Sequence, residues 1–354
     1  MPIGWRVSRF LRRAGALAAG FGLVAVAQPA SSQSPAEPFY SGRKIDLIIG
    51  YTPGGTYDLY ARLVARHMGK HIPGKPTIVP RNMPGGGSRV AATWVYEAAP
   101  RDGTVLATAD QALPVEQAMG DKQLRIDTTR LNYIGNPIAG NNTTVTWHTS
   151  GVKTIDDARR VEVPVGATGA STSSQYPRAM NALLGTKFRI ILGYPGANDI
   201  NLAMERGEVA GKGSDSWTAW KATRPDWLRD KKINILVQIG LKKEPDLPDV
   251  PLMMDLAANP DDRAVLRLLS VSGTIGRPIF TTPEVPADRV RTLREAFQMT
   301  VRDPAFLEEA KAANIDLNPV SGEELQKLVG EIVATPRPIA ERLHGIISEQ
   351  SAAK

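Results

Sequence analysis

The sequence contains no cysteine and only four histidines. Without cysteine the chain can form neither disulfide bonds nor thiolate metal sites, so its core must be large enough to be stable unaided. His67 and His71 have the spacing of two zinc ligands on a helix. The segment between them lacks the glutamate of a zinc protease, and His67 lies on an apolar stripe. We therefore expect no metal site.

Signatures of common enzyme and nucleotide sites are also absent. The chain has no G-x-G-x-x-G motif and no P-loop lysine, so we expect no nucleotide cofactor. It has no G-x-S-x-G turn that would present a nucleophilic serine. Lysines and arginines do not cluster with aromatic residues, which argues against a nucleic-acid partner. These absences favour a binding protein over an enzyme.

The first 33 residues have the features of an export signal. Four arginines and no acidic residue precede a short apolar run that ends in the cleavage pattern Ala25-Val26-Ala27. The run is too short for a membrane span, which needs about 20 apolar residues, and no other stretch approaches that length. We expect ordinary secretion, cleavage between Ala27 and Gln33, and a soluble periplasmic protein. The arginines are Arg6, Arg9, Arg12 and Arg13.

The formal charge of +7 overstates how basic the exported protein would be. The signal arginines account for four of these charges, which leaves +3 after cleavage. With 42% hydrophobic and 22% charged residues, the chain is typical of a soluble globular protein. About 320 remaining residues correspond to one large or two medium-sized domains.

Strand, glycine-rich turn and helix alternate along the chain. An apolar strand at 44–51 is followed by a turn and a helix, and the same order recurs at 75–98, 161–184 and 188–206. This order predicts an α/β fold with largely parallel sheets. The last helices have no strand of their own to cover, so we expect them to pack on the first sheet. We predict a discontinuous first lobe at 39–138 plus 268–354 and a second lobe at 139–267, with a cleft and a hinge between them.

Four glycine turns lie between the end of a strand and the start of a helix, at 52–56, 82–88, 166–174 and 193–198. Helix N-termini offer unpaired N–H groups and a partial positive charge, which suit a carboxylate or a phosphate. The turns could also be purely structural, since any α/β fold needs tight turns there. Asp58 could contact a ligand or simply pair with Arg62 one helical turn away. Arg89, Arg178 and Arg277 could each hold a carboxylate or lie on the surface.

Four motifs follow one another along the chain: Pro53-Gly-Gly-Thr-Tyr-Asp58-Leu-Tyr-Ala-Arg62, Asn82-Met-Pro-Gly-Gly-Gly87, Tyr194-Pro-Gly-Ala197 and Leu247-Pro-Asp-Val-Pro251. From about Phe39 to His344 the chain thereby resembles the solute-binding receptors of tripartite tricarboxylate transporters, the Bug family. This resemblance implies a type II periplasmic binding protein fold. In this fold two lobes are joined by two crossing strands and close on a small organic acid in the cleft between them.

The resemblance also implies a set of ligand contacts. Those carried over from the family motifs are Tyr51, Gly54, Gly55, Thr56, Asp58, Gly169, Ala170, Ser171, Thr172 and Asp215. The glycine turns add Thr52, Gly86 and Tyr194 as candidates. The sequence departs from the family at Arg277, in a segment where the family has a tryptophan, and at the polar pair Asn141-Asn142.

These observations predict a non-catalytic, monomeric periplasmic receptor that captures a small organic carboxylate and delivers it to the permease of a tripartite tricarboxylate-type transporter. Two alternatives remain open. The first is a secreted enzyme that acts on carboxylate compounds with the same fold, and the second is the ligand-binding subunit of a sensory system.

Overall fold

The computed structural model describes residues 38–352, with side chains through residue 348. The predicted export signal lies outside the described residues. The first of two sheets has the strand order β11-β4-β10-β3-β1-β2. Its strands are β1 (Lys44–Ile49), β2 (Thr77–Asn82), β3 (Val105–Thr108), β4 (Asn132–Asn136), β10 (Ile279–Thr281) and β11 (Val320–Ser321).

The second sheet is formed by the middle of the chain and has the order β7-β6-β8-β5-β9. Its strands are β5 (Asn142–Trp147), β6 (Val163–Gly166), β7 (Phe188–Ile191), β8 (Gly211–Ser216) and β9 (Ile233–Ile239). Two sheets with helices around them confirm the predicted α/β class.

Strand direction agrees with the sequence prediction in only part of each sheet. β1 is parallel to β2 and β3, and β6 is parallel to β7 and β8, as the strand–turn–helix order requires. β5, β10 and β11 instead pair antiparallel with their neighbours. The chain passes directly from β4 in the first sheet to β5 in the second, with no helix between them.

Helices cover both sheets. They are α1 (Thr56–Met68), α2 (Arg89–Glu97), α3 (Leu113–Ala118), α4 (Ile155–Arg160), α5 (Thr172–Leu184), α6 (Ala197–Glu205), α7 (Trp217–Thr223), α8 (Pro225–Arg229), α9 (Pro260–Ser270), α10 (Ser272–Ile275), α11 (Ala287–Thr300), α12 (Pro304–Ala312), α13 (Gly322–Val333) and α14 (Arg337–Ala352). Within the described residues, no helix combines the length and the apolar character that a membrane span would require.

The C-terminal helices divide between the two sheets. α11 and α13 pack on β4, and α12 packs on α1, so these three cover the first sheet as predicted. α14 instead contacts α5 and α9, and its Arg342 pairs with Asp262 of α9. The prediction that all the last helices return to the first sheet is therefore wrong for α14, because its apolar face has a partner beside the second sheet.

The first strand shows why the sheets sit between helices. Ile45, Leu47 and Ile49 pack into one apolar cluster with α1 and α11, while Ile48, on the opposite face, packs into another cluster. Burial on both faces explains the continuous apolar run in the sequence.

The two connections between the sheets lie side by side. The first runs from β4 to β5, and the second passes through α9 and α10 to β10. Gly140 N donates to Gly273 O at 3.2 Å. Gly276 has φ +63°, and a Cβ there would lie 1.8 Å from the carbonyl oxygen of Ile138. Only glycine fits this approach. The return connection is helical at 272–275, where the sequence predicts a crossing strand, and it places residue 277 between the sheets.

Candidate ligand-binding site

Both sheets contribute to one cavity of about 50 Å³. Its wall includes the turn after β1, the residues after β3, the turn after β6, part of β8, and one residue of the return connection. Its lining consists of Tyr51, Gly55, Thr56, Tyr57, Asp110, Gln111, Asn142, Thr168, Ser171, Thr172, Ser173, Ala197, Ile200, Lys212, Ser214, Asp215 and Arg277. Most of these side chains carry a hydroxyl, amide or charged group, so the cavity suits a polar ligand.

Three helix N-termini meet at the cavity. α1 and α6 begin after Gly55 and Gly196, and neither N-cap has a side chain that accepts from the first turn. α5 is capped by Ser171, whose hydroxyl accepts from Ser173 N. The first N–H groups of α1 and α6 therefore keep their capacity to donate to an anion, and both helix dipoles place partial positive charge there.

Arg277 supplies a buried cation. Its side chain lines the cavity and the residue is 5% exposed. Nε and Nη2 donate to the Thr56 hydroxyl at 3.3 and 3.2 Å, and Nη1 donates to Gln111 Oε1 and Gly276 O, both at 3.3 Å. The Tyr57 ring centroid lies 4.5 Å from Cζ. Every one of these partners is neutral. Among the residues that the structure describes, no carboxylate forms an ion pair with this guanidinium.

The second cation of the cavity, Lys212, is fully paired. Its Nζ donates to Asp215 Oδ2 at 2.5 Å, to Asn201 Oδ1 at 3.0 Å and to Ala197 O at 3.1 Å. Burial lowers the pKa of Lys212, and the adjacent Asp215 carboxylate opposes that shift. The pair contributes no net charge to the cavity.

Asp110 is a buried acid of the cavity lining. It accepts from the Tyr51 hydroxyl at 2.5 Å and from Ala112 N at 2.8 Å. Burial raises the pKa of Asp110, although its hydrogen bonds and the charge of Arg277 oppose this shift. The backbone N–H of Thr172, the first residue of α5, also lowers the pKa of Asp110. Asp110 thus lies at the cavity together with the N-terminus of α5.

Six of the thirteen residues predicted from sequence line the cavity. They are Tyr51, Gly55, Thr56, Ser171, Thr172 and Asp215. The other seven do not line it, and their assignment as ligand contacts stays a prediction without support from this geometry. These seven are Thr52, Gly54, Asp58, Gly86, Gly169, Ala170 and Tyr194.

The contacts of Asp58 are accounted for within the protein. It accepts from Arg62 Nε at 2.8 Å, from Asn82 Nδ2 at 2.9 Å and from Gly54 N at 3.0 Å. Burial raises its pKa, but these hydrogen bonds outweigh burial and the net shift is downward. Asp58 therefore fixes the first glycine turn against β2, which favours the structural alternative over ligand contact.

Three of the other predicted contacts lie where the two halves approach each other. Thr52 Oγ1 donates to Asp199 Oδ2 at 3.0 Å. A Cβ at Gly87, where φ is +68°, would lie 2.2 Å from Ala170 O, and one at Gly169 would lie 3.4 Å from the carbonyl carbon of Gly86. Thr52, Ala170 and Gly169 shape the boundary of the site.

The three candidate arginines have different environments. Arg89 pairs with Glu116 and Asp121, which gives it a structural role. Arg178, on α5, is buried but does not line the cavity, and burial lowers its pKa. Arg277 alone of the three reaches the cavity.

Sequence reasoning missed much of the lining. Asp110 and Gln111 lie two and three residues after the end of β3, and they could have been found because parallel strands end at one edge of a sheet. Lys212 and Ser214 lie in β8 beside the predicted Asp215, and a lysine in a buried strand was a usable signal. Within the described residues no group of acidic or histidine side chains is arranged to hold a metal ion.

Sequence comparison decides the family. A sequence model of the tripartite tricarboxylate transporter family receptor matches residues 60–344. The chain belongs to this receptor family. Members of the family are solute-binding proteins, not enzymes, and they work in the periplasm. The resemblance noted in the sequence motifs is thus confirmed.

Relatives span nearly the whole chain. The UPF0065 protein of the gbd 5′ region of Cupriavidus necator is 28% identical over 347 residues, or 94% of this chain and 97% of that protein. The solved periplasmic binding protein BugD is 20% identical, with a TM-score of 0.68, covering 87% of this chain and 98% of that chain.

Two solved structures were determined with ligands. MatC (Rpa3494) from Rhodopseudomonas palustris with bound malate is 19% identical, with a TM-score of 0.67 over 86% of this chain and 99% of that chain. R. palustris Rpa4515 with adipate is 19% identical, with a TM-score of 0.64 over 86% and 97%. At these identities the structures show the fold alone, and they confirm the predicted two-lobed periplasmic binding protein fold.

Proposed function

We propose that this receptor captures a small organic carboxylate in the cavity and delivers it to the permease of a tripartite tricarboxylate-type transporter. The observation that carries the proposal is the Arg277 guanidinium, buried at the cavity with only neutral partners. Asp110 interacts with Arg277 electrostatically but forms no ion pair with it within the described residues. A buried charge without a directly paired counter-ion is costly. A ligand carboxylate would supply the counter-ion and accept charge-assisted hydrogen bonds from the planar guanidinium.

The first turns of α1 and α6 add to the attraction, since their N–H groups line the same cavity as Arg277. The malate in MatC and the adipate in Rpa4515 agree with a carboxylate ligand. Of the contacts expected from sequence, the proposal retains Tyr51, Gly55, Thr56, Ser171, Thr172 and Asp215.

The route to the site follows from its size. A cavity of about 50 Å³ holds only a few water molecules, so a larger ligand requires the halves to separate. We therefore retain the predicted hinge between a first lobe at 39–138 plus 268–354 and a second lobe at 139–267. α14 belongs to the first range but packs against α5 and α9 of the second lobe. The protein acts as a monomer in the periplasm after removal of its signal, and it releases the ligand unchanged.

The experiment is a thermal-shift screen of the mature protein against small organic acids, each paired with its primary amide. The acids should raise the melting temperature and the amides should not, because only the acids supply a counter-ion to Arg277. Prolonged incubation should return the acid chemically unchanged. Equal shifts with the amides would contradict the carboxylate proposal, and a chemically altered acid would revive the alternative of a secreted enzyme.

A further inference from the structure

Ser214 presents a hydroxyl that the protein does not satisfy. It lies in β8, lines the cavity and is 6% exposed. Its Oγ is buried and has no hydrogen-bond partner among the described residues. Buried polar groups in native proteins nearly always have a hydrogen-bond partner, and a buried group without a hydrogen bond costs stability. Because Ser214 lines a ligand cavity, a bound ligand is the partner that would complete the hydrogen bonding of its hydroxyl.

Lys212, two residues before Ser214, is not free to bind a ligand. An ammonium group has three donors. All three already have protein acceptors, in Asp215, Asn201 and Ala197, at 2.5–3.1 Å. Lys212 itself is 1% exposed. Its charge is balanced by Asp215, so it offers neither a donor nor net charge to a second carboxylate.

Arg277 is then the one cation of the described lining that lacks a carboxylate partner. The acids that line the cavity are Asp110 and Asp215. A ligand with two carboxylates could neutralise one of them at Arg277, but the other would be desolvated near these acids without a counter-ion. The charge pattern therefore favours one carboxylate per ligand.

We infer that the ligand is a monocarboxylate bearing a neutral hydrogen-bonding group, of the hydroxyl or keto class, and that Ser214 binds this second group. The inference rests on the proposed carboxylate function and specifies its substrate class. Ser214 can donate to a carbonyl oxygen or accept from a hydroxyl, and nearby hydroxyls of Ser171 and Ser173, 2.8 Å apart, extend the polar wall.

The test uses matched triplets of ligands and the full mature protein. Each triplet contains a linear dicarboxylate, the acid in which a hydroxymethyl group replaces one carboxylate, and the acid in which a methyl group replaces it. Calorimetry on triplets of increasing length should show that the hydroxy acid binds about tenfold more tightly than either companion, equivalent to about 1.4 kcal/mol.

Two variants and one control locate the effect. Ser214→Ala should fold with unchanged or higher stability, because it removes an unpartnered group. It should also reduce the advantage of the hydroxy acid over the methyl acid about tenfold. Ser41→Ala is the matched control and should change neither quantity, because Ser41 does not line the cavity and its hydroxyl makes no hydrogen bond within the described residues. Asp215→Asn frees the charge of Lys212 and should raise the affinity of the dicarboxylate relative to the hydroxy acid about tenfold.

The outcomes separate the inference from the proposed function. Carboxylates that bind but show no preference for the hydroxy acid, or a preference that Ser214→Ala leaves intact, would overturn the inference alone. A clear loss of stability in Ser214→Ala would also overturn it, by showing that the hydroxyl has a structural partner. If no member of any triplet bound to the wild-type protein, the proposed function would fail and the inference with it.

Discussion

The hydroxyl of Thr56 accepts two hydrogen bonds from Arg277, one from Nε at 3.3 Å and one from Nη2 at 3.2 Å. Thr56 begins α1, whereas Arg277 lies on the return connection between the sheets. The contact therefore attaches the guanidinium to a helix N-terminus that has no side-chain cap. Cation and helix dipole act on the same part of the cavity, which is why we assign the carboxylate to this position.

The first prediction concerns Gly55. Its φ of −81° is accessible to any residue, and a Cβ there would lie 3.5 Å from the Cβ of Ala197, an ordinary contact. Gly55→Val should therefore fold, but its methyl groups would separate the N-termini of α1 and α6 from the ligand. We expect affinity for the acid to fall at least about tenfold. Calorimetry on a variant whose circular dichroism is unchanged would check this.

Gly330→Ala is the matched control for Gly55→Val, since a Cβ at Gly330 meets no atom within 4 Å and no residue of α13 lines the cavity. It should bind as the wild type does. Full affinity in folded Gly55→Val would place the anion site elsewhere.

The second prediction concerns Glu116, which is fully buried between Arg89 and Gln175. Burial raises its pKa from 4.5 to about 8, although Arg89 opposes the shift. The folded protein then binds a proton that the unfolded chain releases, so the free energy of unfolding should fall as pH rises from about 4.5 to about 8.

Urea unfolding across this pH range should show a slope that Glu116→Gln reduces, by at most about 1.4 kcal/mol per pH unit. Glu331→Gln, an exposed substitution on α13, should leave the slope unchanged. Parallel curves for wild type and Glu116→Gln would show that Glu116 does not titrate in this range.

The third prediction concerns closure. Some contacts between the halves are polar, such as Lys221 Nζ to Asp316 Oδ2 at 2.5 Å and Thr52 Oγ1 to Asp199 Oδ2 at 3.0 Å. Such contacts can break and re-form, so ligand should shift the population towards the closed form. X-ray scattering should give a smaller radius of gyration with saturating acid. Equal radii would reject closure, though not binding.

The fourth prediction concerns export. Mass spectrometry of protein recovered from the periplasm should find a new N-terminus between Ala27 and Gln33. Replacing Arg12 and Arg13 by lysine should leave export intact, because the ordinary secretory route needs only positive charge there. Intact protein in the membrane fraction would contradict the export proposal.

The sequence permitted a sound prediction of the fold because its signals are local. Apolar runs bounded by glycine predicted β1 and β6. The direction of β5 and β10 and the position of α14 depend on which distant surfaces meet, and no local pattern in the chain reports that.

The site was less predictable because most of it depends on contacts between residues far apart in sequence. Glycine turns identified the segments around Gly55 and Ser171, since turns at strand ends are short-range features. The role of Arg277 depends on the close approach of Gly276 to Ile138, which brings residues far apart in sequence together. The pairing of Lys212 with Asp215 could have been suspected from their spacing, but its burial could not.

The most direct test of the account is the affinity of Arg277→Gln for an acid that stabilises the wild-type protein. Glutamine keeps a polar side chain beside Thr56 but removes the charge. Calorimetry should show affinity reduced at least about thirtyfold, because removing one partner of a buried charge pair costs about 2–5 kcal/mol. Affinity within about threefold of wild type, in a variant with unchanged thermal stability, would contradict the assignment of Arg277 as the carboxylate-binding residue.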